Sequence, residues 1–127
     1  MKATQLRLGN IVRLQSDPEL IDHVLILEPG LVHLESGTDY EDEGNVGEVP
    51  IREPLLSRFG IPAKNWFYLG GIRIYIGLVP GGNFALVHIG NWVGRIKYMH
   101  ELQNIIHDIT GQELILHPNI HAPYGEQ

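Results

Sequence analysis

Short β-prone runs, broken by turns that carry glycine, set the tightest limit on how this chain folds. Val24 to Leu27 and Leu31 to Leu34 are apolar runs joined by Glu28-Pro29-Gly30, where proline fixes φ and glycine tolerates φ > 0, so a hairpin is expected. Further along, Ile72, Ile74 and Ile76 alternate with Arg73, Tyr75 and Gly77, and Pro80-Gly81-Gly82-Asn83 turns the chain into a second run, Phe84 to Ile89. Gly9 to Leu14, Glu48 to Ile51 and Trp92 to Ile96 are further short strand candidates, with a polar stretch at Ser16 to Glu19 and a loop "GTDYEDEGNVGE" too polar and glycine-rich to pack. Strands this short, joined by tight turns, point to a strongly bent, mainly antiparallel sheet, SH3-like in its N-terminal part.

Two stretches break the β pattern. In "REPLLSRFG" Pro54 suits a first helical turn, Gly60 and Pro62 stop the helix, and Leu55, Leu56 and Phe59 point one way, so a short helix is expected near 53–59. In "IKYMHELQNIIHDITGQEL" the spacing predicts a longer helix near 97–110, with Tyr98, Met99, Leu102, Ile105, Ile106 and Ile109 on a core stripe and His100, Gln103, Asn104 and His107 opposite, on the wet side. Gly111 stands where a left-handed C-cap is expected, and Glu113 to Leu116 is read as a returning edge strand. The fold class is therefore α+β. A single domain is expected over 1–127, with a β-rich part at 1–51, the helices and second hairpin at 52–116, and a flexible tail at 117–127.

Composition removes several chemistries. With 43% hydrophobic and 19% charged residues the chain reads as globular, and with no cysteine it has no disulfide, thiolate nucleophile or cysteine-held metal. "MKATQLRLGNIVRLQ" lacks an apolar signal core and no apolar run nears the ~18 residues of a membrane span, so a cytoplasmic protein without a membrane partner is the expectation. Residues 1–63 hold five Lys/Arg against eleven Asp/Glu, whereas 64–127 hold four against four. A duplex binder clusters Lys/Arg to neutralise phosphates, and only Arg73, Arg95 and Lys97 offer such a cluster in the second half, so nucleic acid is disfavoured as a partner but stays open.

The chemistry-bearing residues give no catalytic, cofactor or metal assignment. His100 and His107 are seven apart, which at ~1.5 Å rise per residue separates the rings by roughly 10 Å, too far to share one ion as the i, i+4 pair of H-E-x-x-H does. Asp39, Glu41, Glu43 and Gly44 mimic the start of a calcium loop, but Pro50 occupies the position of its closing Glu. His117 and His121 sit in a proline-interrupted tail that fixes no geometry. The glycine runs match no phosphate loop, and Ser16, Ser36 and Ser57 stand in no nucleophile elbow. Aromatics leave two readings. Phe67 faces opposite to Trp66 and Tyr68 if the three lie on a strand; either Trp66 and Tyr68 close the sheet against the helix, or with Tyr75, Trp92 and Arg95 they form a stacking or partner-binding face.

Three blocks, "QLRLGNIV", "VPIREPLLSRFGI" and "YMHELQNIIHDITGQEL", resemble a family of small uncharacterised proteins of Bacteroidetes phages, prophages and mobile elements, whose members carry an "LRIGNLV"-like start, a "PIPLTEEILLKLGF"-like middle and a "YVHQLQNLYFALTGEEL"-like end. Gly9-Asn10, Pro50-Ile51, Leu55-Leu56, Phe59-Gly60, His100, Leu102-Gln103-Asn104 and Thr110-Gly111 align with that pattern over roughly a third of the chain. Arg52-Glu53-Pro54 departs from the family's Thr-Glu-Glu helix start, and the central sheet is richer in glycine. The resemblance implies a setting, an accessory protein of a phage or integrated element, and no reaction.

Together these readings favour a non-enzymatic interaction module. It would bind an unidentified protein or itself, either through an open edge of the Ile72 to Val79 strand or through a contact strip of His100, Gln103, Asn104, His107, Trp92 and Arg95. For the helix's polar residues, capping a neighbouring loop's backbone is the preferred role. The alternatives are a nucleic-acid-associated factor using Arg73, Arg95, Lys97 and the aromatics, and a hydrolase whose site no motif marks.

Overall fold

The computed structural model describes residues 1–35, 40–62 and 65–114, without the side chains of 17–20 and 40. The chain forms two compact units, Met1–Val49 and Pro50–Gln127, and the α+β class expected from the sequence is the one observed. The first unit is a five-stranded antiparallel sheet of β1 (Ile11–Leu14), β2 (Asp17–Glu28), β3 (Leu31–Leu34), β4 (Tyr40–Asp42) and β5 (Val46–Gly47), in the order β4-β3-β2-β1-β5. The long β2 pairs with β1 through its first half and with β3 through its second, and its register shifts between Val24 and Ile26. The two outermost strands, β4 and β5, are consecutive in the chain and joined by a single 3-10 turn, Glu43–Asn45. The sheet therefore curls on itself with the connectivity of an SH3-type barrel. Val12, Val24, Val32, Leu34 and Val46 fill its core.

Local chemistry explains the turns. Gly30 takes φ 75° in the β2–β3 hairpin. Gly9 takes φ 88°, and the buried Asn10 accepts the Arg7 backbone N–H on Oδ1 at 2.6 Å. The Gly9-Asn10 pair thus shapes the chain's approach to β1. Several expectations are corrected here. The polar stretch Ser16 to Glu19 turns the chain at Ser16 and then enters β2, which begins at Asp17 and pairs back on Leu14. The acidic stretch is partly structured, since residues 40–47 contribute two strands and Val46 is fully buried; Ser36 to Asp39 lie outside the described residues. Glu48 to Ile51 forms no strand, although Pro50 makes an isolated bridge with Tyr98.

The second unit is a four-stranded antiparallel meander, β6 (Phe67–Leu69), β7 (Ile72–Leu78), β8 (Ala85–Ile89) and β9 (Trp92–Ile96), flanked in sequence by helix α1 (Glu53–Arg58) and helix α2 (Met99–Thr110). Alternation decides its two faces. Phe67, Ile74, Ile76, Ala85, Val87, Ile89 and Ile96 are buried on one side, together with Met99, Leu102 and Ile106 of α2. The C-terminal turn of α2 reaches the β6–β7 turn, where a Cβ on Gly70 would stand 3.0 Å from the Thr110 carbonyl oxygen. Gly111 ends the helix at φ 73°, its N–H donating to the His107 carbonyl. Glu113 and Leu114 form no strand, and the remainder of that expected strand, like the 117–127 tail with His117 and His121, lies outside the described residues.

Candidate functional site

The register of the second sheet places a defined set of side chains on the face away from α2. Tyr68 pairs with Arg73, Tyr75 with His88 and then Val93, and Gly77 with Leu86 and then Arg95. Leu86 is 40% and Val93 57% exposed, so this face is not covered as its opposite is. Trp66, just before β6, joins it: its ring centroid lies 5.3 Å from Tyr75 and 5.7 Å from His88. The Arg73 guanidinium stands 4.1 Å over the Trp66 ring, and the Arg95 guanidinium 4.9 Å over Phe84. None of these outward positions is Asp or Glu.

Glycine sets the posture of one ring. A Cβ on Gly77 would come within 2.8 Å of the Tyr75 ring, so the phenol lies down along its own strand over the space that glycine leaves. Trp92 does the same over Gly94 on β9, where a Cβ would run into the indole. A ring lying along a sheet offers a π-face, whereas an upright ring offers its edge. At the hairpin end of the unit, a groove of about 700 Å³ includes Phe84, Asn83, Arg52, Glu53, Lys97 and Tyr98 in its lining. Among the described residues its lining carries two cations and one carboxylate and no histidine, serine or threonine.

The contact strip expected from sequence is not gathered in one place. His100 is 6% and Gln103 1% exposed, so both belong to the buried side of α2 and not to a wet face. Gln103 Nε2 donates to the Leu114 carbonyl at 3.5 Å, the backbone-capping role preferred for this helix's polar residues. Asn104 and His107 are half-buried, with His107 Nε2 3.5 Å from Glu113 Oε1. Trp92 and Arg95 sit at positions of opposite parity on β9, so they project from opposite faces. The expected open edge at Ile72 to Val79 is corrected as well: β7 lies between β6 and β8, and only beyond Ile74 does its β6 side lack a strand among the described residues. Trp66 and Tyr68 do not close the sheet against α2, because Phe67 takes the core side.

Sequence reasoning missed one further cluster, in the first unit. Ligand atoms of Asp22, His23 and Glu35 lie within 4.8 Å of one another, a spacing that a divalent cation accepts. Local bonding already accounts for the approach: His23 Nδ1 is 3.2 Å from Glu35 Oε2, and Asp22 Oδ1 accepts the His23 backbone N–H at 2.8 Å. The loop carboxylates that mimicked a calcium site are likewise engaged, Glu41 by Asn45 Nδ2 at 2.9 Å and Glu43 by the Ala3 N–H at 2.8 Å. No helix among the described residues is long and apolar enough to cross a membrane. No family model matches this chain, and no curated protein or solved structure shows significant similarity to it.

Proposed function

We propose that this chain is a non-enzymatic binding module that engages its partner through the open face of its second sheet. One observation carries the reading: Trp66, Tyr75 and His88 touch one another beside the Arg73 cation, on a face where Leu86 and Val93 are left to solvent. Aromatic and arginine side chains are the types that contribute most to binding, and exposed apolar neighbours supply area to be covered. In the 700 Å³ groove Glu53 stands with the cations Arg52 and Lys97, and with no second carboxylate or histidine among the described residues. The likeness of the three sequence blocks to phage and mobile-element proteins suggests an intracellular accessory role as the setting.

The test compares two variants of the tagged protein in lysate of the organism that encodes it. Leu86→Asp with Val93→Asp changes exposed positions on the sheet, while Asp108→Arg changes an exposed position on α2. Loss of the recovered partner in the first variant and not in the second is expected. The reverse pattern would move the contact to the helix and end this proposal.

A further inference from the structure

Building on that reading, we infer that the open face takes a single strand of DNA, with a base stacked on Tyr75 and phosphates met by Arg73 and Arg95. Three features of the face point to this ligand.

The first is charge. The second unit carries six Lys/Arg against five Asp/Glu, the first three against ten, so the acidity of the whole chain resides in the first unit. On the open face the imbalance is sharper: two arginines, no carboxylate. Such a face complements a polyanion.

The second is spacing. Arg73 and Arg95 are four residues apart along the strand direction and two strands apart across the sheet, about 16 Å between Cα atoms at the usual strand spacings. Each guanidinium is held over its own ring, Trp66 or Phe84, and does not reach toward the other. One phosphate cannot meet both. A chain of several nucleotides can, and Lys97 and Arg52 in the groove beside Phe84 extend the track.

The third is the posture of Tyr75. It stands in the row between the two arginines, and its ring lies over Gly77. A base stacks on a π-face, and stacking of this kind tolerates any sequence. A duplex has its bases already stacked and cannot use the platform. Leu86 and Val93, exposed beside the row, offer a 2′-hydroxyl no hydrogen bond, and the neighbouring His88 is packed edge-on against the Trp66 and Tyr75 rings, so the surroundings suit DNA.

The experiment follows the anisotropy of a labelled DNA single strand of about 12 nucleotides, beside the matching duplex and the matching RNA, from about 50 to about 200 mM salt. The single strand is expected to bind tightest. Tyr75→Ala should weaken it by about tenfold, within the range known for loss of one stacked base. Gly77→Ala is the sharper probe. Gly77 has ordinary backbone geometry, so the new Cβ disturbs only the ring, and binding should fall several-fold while the far-UV spectrum stays unchanged. Arg73→Ala with Arg95→Ala should flatten the log–log salt dependence by about 1.4, two phosphates at about 0.7 each. Equal binding by Gly77→Ala and the parent would overturn the stacking role. Preference for duplex or RNA, or nuclease-resistant recovery of a protein on this face, would overturn the assignment to single-stranded DNA. If DNA fails to bind while Leu86→Asp with Val93→Asp still loses its partner, the ligand class is wrong and the binding face stands; if neither responds, both are wrong.

Discussion

Replacing Gln103 by alanine tests the packing of α2, because the residue's polarity and its position make opposite predictions. Gln103 is 1% exposed and its amide meets the Leu114 carbonyl at 3.5 Å. Truncation removes that donor, leaving the carbonyl less well satisfied, at about 1 kcal/mol. It also leaves a cavity among fully buried neighbours such as Met99, Leu102 and Ile106. That costs about 2 kcal/mol, the low end for large-to-small core changes, since burying the amide itself was unfavourable. The expected loss is about 3 kcal/mol. Both tryptophans, Trp66 and Trp92, lie in the second unit, so tryptophan fluorescence in urea follows that unit alone. With m of about 1–1.5 kcal/mol/M, the midpoint should fall by about 2–3 M. Asp108→Ala, at an exposed position four residues short of Gln112, should stay within about 0.5 kcal/mol of the parent. If the two variants melt together, Gln103 lies on a solvated face and the packing described for α2 is wrong.

Gly111→Ala should cost about 1 kcal/mol by the same fluorescence assay: φ is 73° there and an added Cβ meets no heavy atom within 4 Å, so the penalty is conformational alone. Asn10→Ala removes the acceptor of the Arg7 N–H from a site 1% exposed and should destabilise the first unit by about 2 kcal/mol. Hydrogen exchange at the amides of β1 should report the loss, and unchanged protection there would show that the Gly9-Asn10 turn does not depend on this bond.

What could be seen in the sequence was local. The β2–β3 hairpin follows from apolar runs beside Pro29-Gly30, the β7–β8 hairpin from apolar alternation beside Pro80-Gly81, and the end of α2 from Gly111, because each signal lies within a few residues of its effect. Pairings that join distant segments, such as β1 with β5, leave no comparable mark. On α2 the error came from weighing residue type over angle. At ~100° per residue Gln103 stands roughly 40° from Met99, inside the buried arc that runs from Leu102 through Ile106 and Met99 to His100, so the helix buries it whatever its polarity. Ile105 and Ile109, assigned to the core by type, are only half-buried. The open face was half legible. Trp66-Phe67-Tyr68 announced two opposite faces, but which one met the helix depended on where α2 crosses the sheet. The pattern aromatic-x-Gly at Tyr75-Gly77 and Trp92-Gly94 was readable in advance as a ring laid over a bare position, and it marks strands β7 and β9 directly.

Crosslinking in the cell shows whether the open face of the second sheet makes the contact. A photoreactive amino acid is placed at Leu86 or Val93 on the sheet, and at Glu101 or Asp108 on the exposed side of α2. Irradiation should trap a partner from the two sheet positions and not from the helix positions. Crosslinks confined to Glu101 and Asp108 would contradict the account.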